Sequence, residues 1–277
     1  MTQTVRLPDG TLVPALGQGT WHMGEISSRR PQEVAAIRLG LELGMTLVDT
    51  AEMYGEGGAE EMLGEALQSR REQVFLVSKV YPQNAGRGRI DRSCEASLRR
   101  LKTDRLDLYL LHWRGSVPLS ETVEGMEALV ASGKILRWGV SNLDENDMQE
   151  LWAAGGEACA ANQVLYNVTE RGPEFALLPQ LEQRAVPMMA YSPVAQGRLP
   201  HSPALEAVAA RHGATPFQIA LAWTLRNPAV IAIPKAATEA HVRDNHRAAQ
   251  ITLTAEDLAE IDADFPPPRR RTRLAML

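Results

Sequence analysis

Only two cysteines occur in 277 residues, Cys94 and Cys159, and neither stands in a CxxC pair or beside a histidine. That spacing excludes a disulfide framework and offers no thiolate metal site, so no metal is assigned. A basic excess is missing as well. The 29 lysines and arginines face 34 aspartates and glutamates, a net charge of -5, which argues against broad attraction to nucleic acid or an anionic membrane. No apolar run approaches the roughly 18 residues that a membrane span needs. The opening MTQTVRLPDG has no basic, long apolar or small-residue cleavage pattern, and a cytoplasmic location is expected. Linkers rich in Pro, Ser and Gly are absent, so residues 1–277 are read as one domain. The dinucleotide fingerprint GxGxxG is missing too: Gly17 and Gly19 are followed by Thr20, Trp21 and His22 where a third glycine would stand.

What is present is an alternation of two periods. Short buried-type runs, LGQGT, MTLVDT, VFLVSKV, LDLYLLHW, ILRWGVSN, ANQVLYN, VPMMAYS and VIAIPK, take turns with amphipathic segments. The helical partners are expected over Gln32 to Leu43, Ala59 to Ser69, Asp91 to Leu101, Leu119 to Ser132, Asp144 to Ala153, Pro173 to Gln183, Ala214 to Asn227 and Thr238 to Gln250. Eight apolar strands alternating with helices suit a parallel sheet covered on both faces and closed into a barrel. The fold expected is therefore α/β, a (β/α)8 TIM barrel. A small β-hairpin turns at Pro8-Asp9-Gly10 ahead of it as a lid on one barrel end, and an extra helix spans Thr254 to Asp264. The proline run ends that helix, and the arginines of FPPPRRRTRLAML suggest a solvated, mobile tail, with folding over a bound cofactor as the open alternative.

In a barrel of this kind active sites lie at the C-terminal ends of the strands. Asp49, Lys79 and His112 each end an apolar run, and Tyr54 lies in the loop after Asp49. Singly each has an ordinary reading: a helix cap, a loop aromatic, a surface charge, a core histidine. Together they are what tuning a phenol requires, because an unperturbed tyrosine near 10 is a poor proton donor at neutral pH. A lysine ammonium at about 4 Å, in an effective dielectric near 20, offers roughly 4 kcal/mol toward lowering that value. Asp49 would keep Lys79 charged, and His112 would hold a substrate carbonyl.

These residues stand in blocks, DTAEMYG, LVSKV, LYLLHW, GVSN, Asn162-Gln163, AYSP and IPKA, whose order and spacing resemble the aldo-keto reductase family over essentially the whole chain. The resemblance implies reduction of small aldehydes and ketones to alcohols by hydride transfer, with Asp49, Tyr54, Lys79 and His112 as the catalytic tetrad. It implies NADPH as cofactor, with NADH as a weaker alternative. Ser141, Asn142 and Gln163 would bond the nicotinamide carboxamide and Tyr191 would stack on the ring. Ser192, Pro193, Val194, Gln196 and Arg198 would form the loop near the pyrophosphate, offering backbone donors and one guanidinium. Lys235 would meet the 2′-phosphate, and Asn245 the adenine. Here the sequence departs from the common pattern, with Ala236 where a serine often donates to the phosphate and His241 where an arginine often sits. Histidine titrates near neutrality, so NADPH binding is expected to weaken between about pH 6 and 8 more than NADH binding does.

Trp21, Met53 and Trp113 occupy family positions that line the substrate pocket, and Arg114 is read as a surface charge that could also attract an acidic substrate. The GQGTWHMGE start, with DTAEMYGEGGAE and SKVYPQNAG, resembles a bacterial branch associated with methylglyoxal and related small aldehydes. A monomer is expected, with a small carbonyl compound as its partner. A second class of function is a redox-sensing binding module that holds cofactor without rapid turnover; the intact tetrad disfavours it.

Overall fold

The computed structural model describes residues 3–277. Strands β1 (Thr4–Arg6) and β2 (Leu12–Pro14) pair antiparallel, Val5 opposite Val13, with Gly10 at φ +89 in the turn. Eight further strands follow: β3 (Gln18–Gly19), β4 (Leu47–Asp49), β5 (Phe75–Val80), β6 (Leu108–Leu111), β7 (Trp138–Ser141), β8 (Asn162–Leu165), β9 (Met188–Tyr191) and β10 (Val230–Ala232). Each pairs parallel with its neighbour in chain order. Bridges Leu16 to Ala232 and Gly19 to Lys235 join the last strand to the first and close the barrel. Gly19 permits that approach, since a Cβ there would lie 2.7 Å from the Ile233 carbonyl oxygen.

Helices α1 (Arg30–Glu42), α2 (Gly58–Ala66), α3 (Ile90–Leu101), α4 (Leu119–Ala131), α5 (Glu145–Ala153), α6 (Leu177–Gln183), α7 (Pro203–His212), α8 (Pro216–Thr224), α9 (Glu239–Ala248) and α10 (Ala255–Asp264) include the eight expected and the extra C-terminal one. Two details differ. The segment expected to be helical from Pro173 begins as a 3-10 turn and becomes α-helical only at Leu177, because Ala176 takes a non-helical φ of -139. α7 is additional. Ser202 caps it through the Leu205 N–H, Pro203 opens it, and Gly213 ends it in the left-handed region at φ +58.

The period of two along the strands divides the core. Leu47, Val77, Leu108, Leu110, Ala161, Met189 and Ile231 face the interior, while Val48, Leu76, Tyr109, Val140 and Val164 face the helices. Val5, Leu7 and Val13 of the hairpin join the interior cluster, and Arg137, just before β7, bonds Asp9 and Thr11. The hairpin therefore seals the end at which the strands begin. The opposite end carries the site.

The expectation of a free tail is corrected. Arg271 forms ion pairs with Asp144 and Glu145 at the start of α5, Leu274 packs against the core, and Arg171 donates to the Phe265 carbonyl. The guanidinium finds carboxylates at a helix N-terminus, and Leu274 withdraws apolar surface from water, so the segment folds back over the loops that follow β7 and β8.

Candidate active site

Asp49, Lys79, His112, Ser141, Gln163 and Tyr191 each lie an even number of residues past an interior or strand-centre position. Leu47 leads to Asp49, Val77 to Lys79, Leu110 to His112, Gly139 to Ser141, Ala161 to Gln163 and Met189 to Tyr191. The alternation that fills the barrel thus carries six polar side chains to one end of it. Tyr54 arrives by the β4–α2 loop, which turns sharply through three consecutive left-handed residues, Gly55 (φ 57), Glu56 (φ 54) and Gly57 (φ 94).

Lys79 is wholly buried, and its Nζ donates to Asp49 Oδ2 at 2.7 Å, to the Thr50 carbonyl at 2.8 Å and to the Tyr54 hydroxyl at 3.0 Å. The other carboxylate oxygen of Asp49 accepts from Gln163 Nε2 at 2.8 Å. These three bonds fix the ammonium against the phenol with no rotamer freedom left to it. Asp49 and Tyr54 raise the Lys79 pKa above its ordinary value, although burial alone would lower it. Burial pushes the Asp49 carboxyl up, opposed by Lys79 and the Gln163 amide. Tyr54 departs from expectation: its pKa is raised, not lowered. Burial dominates; Lys79 opposes it through its charge and its hydrogen bond, and the Asp49 charge reinforces the rise.

His112 sits beside Tyr54, ring centroids 5.8 Å apart and edge-on. Burial and the Lys79 charge push its imidazole down to about 2, which keeps it neutral. Its Nδ1 is buried without a hydrogen-bond partner among the described residues. Trp21 packs edge-on to Tyr54 at 4.8 Å, Trp113 lies 4.9 Å from His112, and Met53 packs against the Tyr54 cluster; all three are half-buried at the mouth. Arg114 is spent on Asp147 and Glu150 of α5, so its guanidinium is committed to a surface ion-pair network.

The residues expected to meet a nucleotide divide into two groups. Asn142 (φ 59) donates to the His112 carbonyl at 3.1 Å and to Ser141 Oγ at 3.2 Å, and accepts from the Tyr191 hydroxyl at 3.0 Å, which links them to the tetrad. The Leu277 backbone also reaches the Tyr191 phenol, which burial pushes up to about 12. Gln163 is nearly inaccessible, and its amide donor is already committed to Asp49. In the following loop Ser192 (φ 49), Ala195 (φ 50) and Gln196 (φ 54) are left-handed. Such strain costs on the order of 1–3 kcal/mol per residue and concentrates where a ligand is bound. The supply of backbone donors is smaller than expected, because the Ala195, Gly197 and Arg198 N–H groups bond within the loop. Pro193 is buried and its carbonyl accepts from Thr224; Val194 is half-buried; Gln196 and Arg198 are exposed. Lys235 is exposed just beyond β10, with His241 and Asn245 on α9. An aromatic ring, two amides and two exposed cations around one mouth fit a nicotinamide nucleotide by the chemistry of their donor groups.

Thr20 and Thr50 belong to the site, although the sequence reading passes over them. Thr20 Oγ1 bonds the Asp49 carbonyl at 3.0 Å, and Thr50 supplies the carbonyl that Lys79 meets. In the sequence their only signal is adjacency to Trp21 and Asp49. Cys94 and Cys159 are buried free thiols, each pushed up to about 12 by burial.

The model described as "Aldo/keto reductase family" matches residues 15–264. The chain is 55% identical over 271 residues to methylglyoxal reductase YeaE of Escherichia coli, covering 96% of this chain and 95% of that one. Glyoxal reductase of Bacillus subtilis is 30% identical over 266 residues, covering 95% and 93%. A solved structure of an aldo/keto reductase from Klebsiella pneumoniae, in complex with NADP and acetate, superposes with a TM-score of 0.97 at 55% identity over 100% of both chains. With the barrel, the buried Tyr-Lys-Asp chain and these likenesses in hand, the protein belongs to the aldo/keto reductase family.

Proposed function

We propose that this chain is an NADPH-dependent reductase of small aldehydes and ketones, 2-oxoaldehydes such as methylglyoxal among them, with Tyr54 as the general acid. The observation that carries the reading is the Tyr54 hydroxyl held 3.0 Å from a fully buried Lys79 that is itself anchored on Asp49. Likeness over the full chain to a methylglyoxal reductase and to a structure that contains NADP supports the substrate class and the cofactor.

Bound NADPH supplies the hydride. The residues of the chain do the rest. A carbonyl oxygen placed between Tyr54 and His112 accepts two hydrogen bonds. We assign the His112 proton to Nε2, because an N–H at the buried Nδ1 would have no acceptor among the described residues. As charge builds on the substrate oxygen, His112 steadies it and Tyr54 gives it a proton. A phenol with a raised pKa still donates here, because the alkoxide that develops is the stronger base. The phenolate left behind is held by Lys79 until it regains a proton from solvent. Ser141, Asn142, Gln163 and Tyr191 would hold the nicotinamide. Ser192, Pro193, Val194, Gln196 and Arg198 would lie along the pyrophosphate, and Lys235, His241 and Asn245 at the adenosine end. Trp21, Met53 and Trp113 would wall the substrate. The hairpin and the folded-back tail pack on the barrel, which supports reading 1–277 as one domain.

Loss of NADPH absorbance with methylglyoxal, run beside Tyr54→Phe and repeated with NADH, tests the assignment. Turnover by the parent chain alone is expected. Equal turnover by Tyr54→Phe removes that residue from the acid role, and tight NADPH binding without turnover by either chain favours the binding module.

A further inference from the structure

On the outer wall of the barrel, behind the tetrad, Glu60 is wholly buried in the first turn of α2. Its two carboxylate oxygens are divided between two elements. Oε1 accepts from Ser78 Oγ at 2.6 Å, and Oε2 pairs with Arg100 Nε at 2.6 Å. Ser78 precedes Lys79 on β5. Because side chains alternate along a strand, the residue that faces Glu60 sits next to the one that faces Tyr54. Arg100, on α3, also donates to Ser97 and presses on Gly57, where a Cβ would lie 2.6 Å from Arg100 Cδ. Gly57 ends the left-handed turn that begins just after Tyr54. On its other side the turn is backed by a second close contact, Gly58 against the Gly24 carbonyl, with 2.5 Å to a Cβ.

Glu60 therefore bonds the segment that carries Lys79 and the arginine that backs the segment carrying Tyr54, while contacting neither tetrad member itself. We infer that Glu60, with Arg100 and Ser78, is a positioning unit that fixes the separation between the Tyr54 hydroxyl and the Lys79 ammonium. The inference rests on the reductase reading above. A carboxylate suits the task, because it alone among side chains of this length accepts from a hydroxyl and a guanidinium at once with charge-assisted strength. Glu60 acts through geometry, and it neither gives nor takes a proton in the reaction.

The test uses the full chain. Turnover of methylglyoxal by the parent, and its loss in Tyr54→Phe, is established first; failure at that stage overturns the reductase reading and not this one. Glu60→Gln and Ser78→Ala are then compared for kcat, KM, NADPH affinity by fluorescence titration, and the isotope effect on kcat with NADPH deuterated at the transferred hydrogen. Glu60→Gln is expected to lower kcat at least tenfold, to leave the NADPH Kd within twofold, and to raise the isotope effect as the chemical step becomes limiting. Ser78→Ala, which removes one bond only, is expected to fall between the parent and Glu60→Gln. A lowered melting point with unchanged kcat and isotope effect makes Glu60 merely structural and overturns the inference, as does a loss confined to NADPH affinity. If Glu60→Gln fails to fold, Ser78→Ala decides: parent-like kcat refutes the inference, and a lowered kcat at unchanged Kd supports it.

Discussion

Replacing Lys79 with methionine removes the cation and keeps a long apolar side chain in a site with no solvent exposure. Among the described residues Asp49 then retains only the Gln163 amide as a side-chain partner, having lost the ammonium at 2.7 Å. Stranding one member of a buried pair costs about 3–5 kcal/mol. In a chain of this size each kcal/mol moves the melting point by ~2–4 °C, so the single substitution lowers Tm by about 6–20 °C. Adding Asp49→Asn removes the stranded charge, and the double variant recovers most of the loss while remaining inactive. The pH dependence has a definite sign. Burial already holds the Asp49 carboxyl above its ordinary value, and without Lys79 nothing cationic opposes it. A carboxyl whose folded pKa exceeds its unfolded one favours the fold at low pH, and that contribution is lost as the pH rises through the folded value. The deficit of Lys79→Met is therefore smallest near the unfolded carboxyl value of about 3.9 and grows as the pH rises above it, a trend that the double variant lacks. Urea unfolding followed by tryptophan fluorescence at stepped pH measures both quantities. If the losses of the two substitutions simply add, or if the deficit ignores pH, the account of the pair is wrong.

His112 is held at about 2 by burial and Lys79, below its unfolded value, so its contribution is fully present above pH ~6.5 and is lost as the pH falls below that, at about 1.4 kcal/mol per pH unit. His112→Asn flattens that limb of the stability curve, and an unchanged slope in urea titrations would contradict the assignment. Gly24→Ala forces a Cβ to within 2.3 Å of the Gly58 carbonyl oxygen at a φ of +75, where neither backbone can yield cheaply. It should cost upward of about 2 kcal/mol and raise KM, because the Trp21 and Tyr54 loops part; parent-like melting and KM would refute the contact. Arg271→Ala removes the ion pairs at α5. The expected stability loss is only about 0.2–1 kcal/mol, but trypsin should cut the tail markedly faster, and an unchanged cleavage rate would show that the Arg271 ion pairs do not hold it.

The barrel is legible in the sequence because its strands are buried on both faces and read as continuous apolar runs, as LVD, FLVSKV and LYLL do. The same runs announce the site, since a polar residue that ends a buried strand has little reason to be there except to face the mouth. α7 escapes that reading because its inward positions include the small Ala204 and Ala209, which weaken the periodic signal, although Ser202-Pro203 and Gly213 mark both its ends. The Tyr54 pKa is misjudged for a different reason. Residue types reveal that Lys79 stands nearby, but the depth of burial and the opposing Asp49 charge are properties of the fold. The tail is misread likewise, because arginines look solvated until their carboxylate partners, Asp144 and Glu145, are placed beside them.

The junction between β10 and β3 has mechanical consequences. β3 is only two residues long, and the barrel is held shut there by a few backbone bonds, from Gly17 to Ala232, Ala232 to Ala15, and Gly19 to Pro234. A ring of strands opens first at its weakest seam, so these amides should exchange with solvent ahead of those between β5 and β6. Lys235 lies on the seam, opposite Gly19. A ligand that engages the lysine while resting on the neighbouring strands acts as a rivet across the gap, and its affinity then includes the work of stiffening the softest part of the ring.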